Sequence, residues 1–383
     1  MQLPPSKLPD VGTTIFTVMS ALAQEAGAIN LSQGFPNFDC SPRLQDLVYR
    51  YMREGKNQYA PMAGLPVLRE RLAEKIDRLY GVGVDPDGEI TVTAGATQAL
   101  FCAIAAFVRT GDEVILLEPA YDSYRPSIEV NGGKAVPYEL SAPDYRVDWA
   151  ALERLVGPRT RMLIVNTPHN PTGTILQAED LRQLEEIALR HDLIVLSDEV
   201  YEHLIYDGQP HESVLRYPEL FARSLAVYSF GKTFHNTGWK VGYCVAPAPL
   251  MAEFRKVHQF NVFSVNTPVQ YALAEFLADP EEYLSLGRFY QAKRDFFLEA
   301  MKGSPLRPLP CRGTYFQLFD YRAVSDLPDT GFAKWLTVEA KVAAIPVSVF
   351  YSSGRDERVI RLCFAKTEEV LEQAGRILKR VER

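Results

Sequence analysis

Short runs of apolar residues alternate with amphipathic stretches from about residue 90 to residue 246. The apolar runs lie at 113–117, 161–165, 193–196 and 225–228. Continuous runs of this length are typical of strands that are covered on both faces of a sheet. One helical face between the second and third runs carries Leu181, Leu184, Ile187 and Ala188. The alternation of strand and helix predicts an α/β protein with a mostly parallel sheet wrapped by helices.

A different pattern begins near residue 280. Helical stretches at 290–301 and 368–381 enclose strand-like runs at 315–319 and 359–364, which predicts a smaller α+β domain. We therefore expect three parts, which are an N-terminal segment at 1–45 that packs with the small domain, a large domain at 46–280 and a small C-terminal domain at 281–383.

Composition and charge narrow the function classes. The 383 residues are 47% hydrophobic and carry a net charge of -7, which excludes intrinsic disorder and opposes nucleic-acid binding, since phosphate contacts need clustered cations. The longest uncharged run, 90–108, begins with polar residues and predicts a strand, a turn and a buried helix rather than a membrane span. No secretory signal is apparent, and we expect a soluble, cytoplasmic protein.

The cysteines predict no disulfide framework and no metal site. They are odd in number, widely spaced and without a CxxC pair. Buried free thiols in a reducing compartment are the simplest interpretation of Cys40, Cys102, Cys244, Cys311 and Cys363.

Polar and small residues follow the predicted strands, where ligands of open parallel sheets bind. These segments lie at 94–98, 118–121, 166–173, 197–201 and 229–232. Together they supply a helix N-terminus, an aromatic ring, an amide, a carboxylate, a phenol and an amine. This set suits a flat, phosphorylated aromatic carbonyl compound with a ring nitrogen, and pyridoxal 5′-phosphate has those features.

Seven motifs in a fixed order give the sequence a family resemblance. They are Ser-Gln-Gly-Phe-Pro-Asn-Phe at 32–38, Asn-Gln-Tyr-Ala at 57–60, Asn-Thr-Pro-His-Asn-Pro-Thr-Gly at 166–173, Ser-Asp-Glu-Val-Tyr-Glu at 197–202, Ser-Phe-Gly-Lys-Thr at 229–233, Thr-Gly-Trp-Lys-Val-Gly at 237–242 and Ile-Arg-Leu-Cys-Phe at 360–364. Over nearly its whole length the chain resembles the class I/II, fold-type I aminotransferases that depend on pyridoxal phosphate. Within them it is most similar to the methionine aminotransferases and to the kynurenine and glutamine transaminases.

The resemblance implies roles for the residues around the cofactor ring. Lys232 would hold the cofactor as an imine and then carry a proton, while Asp198 would pair with the ring nitrogen. Tyr201 and Asn170 would contact the ring oxygen, and Tyr121 would stack on the ring. Asp198 as a simple helix cap, Asn170 as an ordinary turn residue and either tyrosine as a core aromatic are the alternatives.

The resemblance also implies a cradle for the cofactor phosphate. The cradle would consist of Gly95, Ala96, Thr97, Ser229 and Lys240. Many relatives have arginine where this chain has Lys240, and lysine supplies a point charge without the bidentate fork.

The substrate carboxylate has a predicted partner in Arg361, which lies in an apolar strand where an unpaired charge is costly. The resemblance makes it a bidentate clamp, assisted by Gly34 and Asn170. The alternative is a buried structural ion pair.

The resemblance further implies a homodimer with shared active sites. Tyr59 would reach the partner's phosphate, and Phe263 would enter the partner's side-chain pocket, whose wall also includes Phe16. An ordinary core phenylalanine is an equally good interpretation of Phe16 and Phe263.

The implied activity is a ping-pong transamination between an amino acid and a 2-oxo acid. Residues 259–266 contain no arginine for a second carboxylate, so a neutral or aromatic donor is expected, with methionine first. A kynurenine or glutamine transaminase with β-lyase activity on cysteine S-conjugates is the alternative. A cofactor-sensing regulator is disfavoured, because no basic DNA-binding region precedes the first motif.

Overall fold

The computed structural model describes residue 1 and residues 3–382. In chain order, the strands are β1 (Ile29–Asn30), β2 (Ile90–Thr93), β3 (Glu113–Glu118), β4 (Lys134–Glu139), β5 (Thr160–Asn166), β6 (Ile194–Asp198), β7 (Ser224–Ser229), β8 (Gly242–Val245), β9 (Arg307–Pro308), β10 (Phe316–Asp320), β11 (Val342–Ala343), β12 (Ile345–Pro346) and β13 (Val359–Cys363). The helices are α1 (Ile15–Ala26), α2 (Pro42–Arg53), α3 (Pro66–Tyr80), α4 (Ala96–Phe107), α5 (Tyr124–Val130), α6 (Trp149–Glu153), α7 (Ala178–Arg190), α8 (Pro218–Phe221), α9 (Phe230–Thr233), α10 (Ala248–Asn261), α11 (Thr267–Phe276), α12 (Glu281–Leu284), α13 (Leu286–Ala300), α14 (Asp329–Val338) and α15 (Glu368–Leu378).

The large sheet has the strand order β2-β8-β7-β6-β5-β3-β4. Only β8 runs antiparallel to its neighbours, so the sheet is mostly parallel, as predicted. Because Thr93 and Ser229 both pair with Gly242 of β8, the ends of β2 and β7 lie at the same edge of the sheet. That edge carries the candidate site.

Alternate side chains of the central strands enter two separate apolar cores. Val114 and Leu116 pack with α4 on one face, whereas Ile115 and Leu117 pack in the larger core on the other face. This double burial explains why the predicted strands have continuous apolar sequences. The uncharged run at 90–108 forms β2 and the buried helix α4, which confirms the expectation for that run.

The C-terminal part has its own antiparallel sheet, in the order β12-β13-β10-β9, and α13 packs against α15. Helix α13 begins at Leu286, four residues before the predicted start, because Leu286 is buried on the same helical face as Tyr290. Helix α15 ends at Leu378, although Val381 beyond it is still buried. The buried apolar side chain of Val381 led to the prediction of a longer helix, although Val381 packs from beyond the end of α15.

The N-terminal segment lies against this C-terminal part. Strand β1 pairs in parallel with β11, and α1 packs on α14. The division into a segment at 1–45 that packs with the small domain, a large domain at 46–280 and a small domain at 281–383 stays a prediction. Within the described residues, no helix has the length and apolar character needed to cross a membrane. The five cysteines are free and buried, as predicted.

Candidate active site

A cavity of about 310 Å³ opens at the carboxyl edge of the large sheet, between that sheet, β13 and the N-terminal segment. Most of the predicted site residues line it. They are Phe16, Gly34, Gly95, Ala96, Thr97, Tyr121, Asn170, Asp198, Tyr201, Ser229, Lys232, Lys240 and Arg361.

The amine of Lys232 faces this cavity from α9, the short helix that follows β7. Its Nζ donates to the carbonyl of Gly34 at 3.0 Å and to the hydroxyl of Tyr315 at 2.8 Å. Desolvation lowers the pKa of Lys232 to about 8, and the positive charges of Arg361 and Lys240 act in the same direction. The amine therefore loses its proton far more readily than an ordinary lysine, which a nucleophile and proton carrier requires.

The carboxylate of Asp198 ends strand β6 and is 4% exposed. Burial raises its pKa to about 6, although it accepts hydrogen bonds from the Tyr124 hydroxyl at 2.6 Å and from the Val200 N–H at 3.3 Å. The side-chain amide of Asn166 donates to the Asp198 carbonyl at 2.8 Å and fixes the strand end. Such a desolvated carboxylate gains most from a cationic partner.

Two tyrosines contribute rings to the cavity. Tyr201 is 2% exposed, and burial holds the pKa of its phenol well above the usual value, so it remains a neutral donor. Its ring meets the Tyr315 ring edge-on at 5.2 Å between centroids. The Tyr121 hydroxyl lies 3.4 Å from Thr97 Oγ1, next to the start of α4.

The start of α4 forms a pocket suited to an anion. Gly95 has a φ of 80°, and a Cβ there would lie 3.4 Å from both Cε and Nζ of Lys240. The unpaired N–H groups of the first helical turn, at Ala96 and Thr97, attract negative charge, and the Lys240 ammonium lies beside them. Gly242 permits this approach, because its Cβ would lie 2.5 Å from the Tyr228 carbonyl and 3.0 Å from the Ala96 nitrogen.

The guanidinium of Arg361, on β13, also lines the cavity and is 1% exposed. It donates to Asn170 Oδ1 at 2.8 Å and to the Ser32 carbonyl at 3.1 Å, and it stands 3.9 Å from the centroid of the Phe316 ring. These partners are neutral, although the Asp122 carboxylate attracts Arg361 at longer range. The choice between a carboxylate clamp and a structural ion pair stays a prediction. Burial lowers the pKa of Arg361 only to about 10, and its Nε has no hydrogen-bond partner within the described residues. A buried, charged fork with an unused donor fits a carboxylate ligand.

Tyr59 and Phe263 lie outside the cavity of their own chain. They are 83% and 46% exposed, and their rings contact each other at 5.5 Å between centroids. The expectation that they act on a partner's site stays a prediction.

Several residues in or next to the cavity were missed in the sequence analysis. Tyr124 and Asn166 orient Asp198, Tyr315 holds the Lys232 amine, and Phe316 lies under Arg361. Asn166 begins the 166–173 motif at a strand end, so its position carried a signal. Tyr124, Tyr315 and Phe316 had none beyond apolar patterning, because each reaches the site through tertiary packing.

The segment that carries Asp198 and Tyr201 is anchored on its far side by a buried charged network. Glu202 accepts a hydrogen bond from Lys75, and both side chains are 3% exposed. Glu199 is fully buried and lies 2.9 Å from His211. Asp198 and Tyr201 thus face the cavity, whereas Glu199 and Glu202 next to them face these buried partners.

Known proteins of one family are similar to this chain over nearly its whole length. The family model for aminotransferase class I and II matches residues 26–378. The methionine aminotransferase of Escherichia coli is 55% identical over 380 residues, which cover 99% of this chain and 98% of that protein. A crystal structure of YbdL from Escherichia coli, identified as having a methionine aminotransferase function, is 55% identical and superposes with a TM-score of 0.97 over 99% of this chain and 100% of that one. The mouse kynurenine–oxoglutarate transaminase 1 is 34% identical, over 97% of this chain and 96% of its own length.

Proposed function

Because this chain belongs to the class I and II aminotransferases, we propose that it binds pyridoxal 5′-phosphate in the cavity around Lys232 and transfers the amino group of methionine, or of other neutral and aromatic amino acids, to a 2-oxo acid. One observation carries the proposal. The amine of Lys232, the carboxylate of Asp198 and the guanidinium of Arg361 face one cavity.

The residues present fit this cofactor. The start of α4 with Lys240 and Ser229 would hold the phosphate, and Asp198 would hold the protonated ring nitrogen. Tyr201 and Asn170 would donate to the ring oxygen, and Tyr121 would cover the ring face. When bound, the cofactor supplies an aldehyde carbon for amines and a ring that accepts electrons from the substrate α-carbon.

Lys232 has two tasks in this proposal. Its amine would hold the cofactor at the aldehyde carbon, and the same amine, when free, would carry the proton that leaves the substrate α-carbon. Its lowered pKa supports this task, since a proton carrier works best near the ambient pH. The Tyr315 hydroxyl and the Gly34 carbonyl lie within hydrogen-bond distance of the amine and are suited to orient it.

Arg361 and Asn170 would bind the substrate α-carboxylate, and the aromatic rings of Phe16 and Phe316 would lie near its side chain. Within the described residues, the cations that line the cavity are Lys232, Lys240 and Arg361. Each already has a partner in the cofactor or the α-carboxylate. This leaves no cation for a second carboxylate and supports a neutral or aromatic donor.

A donor screen tests the substrate assignment. The purified, cofactor-loaded protein is mixed with single amino acids, and the absorbance change of the bound cofactor is followed for one half-reaction. Methionine and aromatic donors are expected to react fastest, and a preference for aspartate would overturn the assignment. Release of pyruvate and free thiol from a cysteine S-conjugate would reveal the β-lyase alternative. Fastest reaction with kynurenine would instead favour the kynurenine transaminase alternative.

Replacement of Lys232 by alanine tests the site. The variant is expected to lose turnover and to show no covalently attached cofactor by mass spectrometry after borohydride reduction. Retained activity would refute the assignment.

The proposed active form is a homodimer in which Tyr59 and Phe263 complete the partner's site. Their exposure on the single chain, together with that of Phe260 at 86%, supports this arrangement. Mixing K232A with Y59A, each weakly active or inactive alone, is expected to restore activity through hybrid dimers. A monomer in light scattering, or no restoration after subunit exchange, would contradict shared sites.

A cytoplasmic location is part of the same proposal. The free, buried cysteines are compatible with a reducing compartment. Cell fractionation with an antibody to the protein tests it, and recovery in a secreted fraction would overturn it.

A further inference from the structure

The backbone carbonyls of residues 31–35, here called the N-terminal strap, accept hydrogen bonds from residues that lie far along the chain. Each of the five successive carbonyls accepts from a residue beyond position 230. Leu31 accepts from the Cys363 N–H at 2.8 Å, Ser32 from Arg361 at 3.1 Å, Gln33 and Phe35 from Lys366 Nζ at 3.5 and 2.7 Å, and Gly34 from Lys232 Nζ at 3.0 Å and the Tyr315 hydroxyl at 2.6 Å.

Three of these donors are cations, but only two have a part in the proposed reaction. Lys232 and Arg361 line the cavity, whereas Lys366 is absent from its lining and is 4% exposed. The Lys366 ammonium donates to backbone carbonyls of the strap and stands 5.4 Å from the Phe35 ring centroid. Since a buried ammonium is costly, it needs these bonds, and they tie the strap to the chain just after β13.

Gly34 lies between the two carbonyls that Lys366 holds, and it has little room to move. A Cβ at Gly34 would lie 3.0 Å from Phe316 Cζ and 4.0 Å from Arg361 Nη2. The strap backbone thus forms the wall of the cavity next to the guanidinium. Lys366 lies outside the cavity lining and has no part in the proposed reaction, so its bonds to the strap do not depend on whether Lys232 is engaged.

We propose that Lys366 is a positioning residue that fixes Gly34 of the strap against Arg361 and so shapes the binding place of the substrate α-carboxylate. This inference rests on the proposed transaminase function. The carboxylate is bound alike in the ground state and in the transition state. Loss of the positioning therefore affects KM far more than kcat.

The test is Lys366→Met, which removes the donors and keeps most of the apolar stem. We expect KM for methionine and for the 2-oxo acid to rise about tenfold, with kcat changed less than about twofold and cofactor affinity unchanged. Hydrogen exchange of peptides that cover the strap is expected to accelerate, while peptides that cover β7 and α9 stay protected. Lys366→Arg retains a cation at this place, so its KM is expected to lie between that of the wild type and that of Lys366→Met.

Arg294→Met is the matched control. Arg294 is also a buried cation that bonds a backbone carbonyl, that of Cys311 at 2.9 Å, but its other partners are the carboxylates of Asp207 and Asp295, and it lies outside the cavity lining. It is expected to lose stability without a change in KM.

An unchanged KM in a folded Lys366→Met variant would overturn the inference, as would an equal KM rise in Arg294→Met or a joint fall of kcat and cofactor affinity. If Lys366→Met does not fold, Lys366→Arg and Lys366→Gln decide by the same readouts. Wild-type protein that transaminates no donor would refute the proposed function instead. In that case, the hydrogen exchange of the strap peptides would still show whether Lys366 holds the strap.

Discussion

Tyr124→Phe should change the pH dependence of cofactor binding through Asp198 alone. Tyr124 is 3% exposed, and its hydroxyl donates to Asp198 Oδ2 at 2.6 Å. The substitution keeps the ring and removes the hydroxyl. The carboxylate then loses a donor that favours its charged form, in a place where burial already disfavours that form.

The size of the effect follows from this one bond. A hydrogen bond to a charged group contributes about 1.5–3 kcal/mol, and each pKa unit corresponds to about 1.4 kcal/mol. The pKa of Asp198, raised by burial to about 6 in the wild type, would therefore rise by about 1–2 further units. At pH 7 the carboxylate would change from about 90% ionised to roughly half or less.

The assay is a titration of apoprotein with pyridoxal phosphate across pH 5–9, followed by the fluorescence of the protein. Binding that needs ionised Asp198 weakens as the pH falls through its pKa. The acid limb should therefore move upward by about 1–2 pH units in Tyr124→Phe. Tyr121→Phe is the control, because the Tyr121 hydroxyl lies 3.4 Å from Thr97 Oγ1 and makes no hydrogen bond to Asp198 within the described residues. An unmoved limb in Tyr124→Phe, or an equal shift in Tyr121→Phe, would refute the reasoning.

Three further changes have expected outcomes. Arg361→Met should lower kcat/KM for methionine by about 100-fold or more, because two charge-assisted hydrogen bonds to the substrate carboxylate contribute about 3 kcal/mol or more. Steady-state kinetics measure this fall, and the cofactor affinity should stay unchanged. Lys75→Met should reduce the free energy of unfolding by about 3–5 kcal/mol, because it leaves the Glu202 carboxylate buried without its cation. Urea titrations measure this loss, and a double variant that also carries Glu202→Gln should recover part of it. Gly95→Ala should weaken cofactor binding by about tenfold, because φ at Gly95 is +80°, a backbone conformation that alanine adopts only with strain. Equal affinity in equilibrium dialysis would contradict this.

The large sheet was predictable because its strands are buried on both faces. Short, continuous apolar runs such as 161–165 are typical of strands in this setting, and strand ends in a parallel sheet meet at one edge. Lys232 and Asp198 follow two such strands, so order along the chain already placed them together. The resemblance then supplied roles that periodicity alone could not.

The supports of the site were not predictable in the same way. Tyr315 and Lys366 belong to the C-terminal part, and their partners belong to the N-terminal segment. Nothing in the local sequence of either residue indicates the distant carbonyl that it binds. Helix ends differed for a related reason, since Val381 is buried by packing from a turn and not by helical periodicity.

The strap has a consequence for biosynthesis. Ser32 and Arg361 are 329 residues apart in sequence, and Phe35 and Lys366 are 331 apart. A ribosome therefore makes the first member of each pair more than 300 residues before the second. The nascent chain can assemble its central strands before the proposed grip on a substrate carboxylate can form, so a polypeptide that terminates before Arg361 would lack that grip.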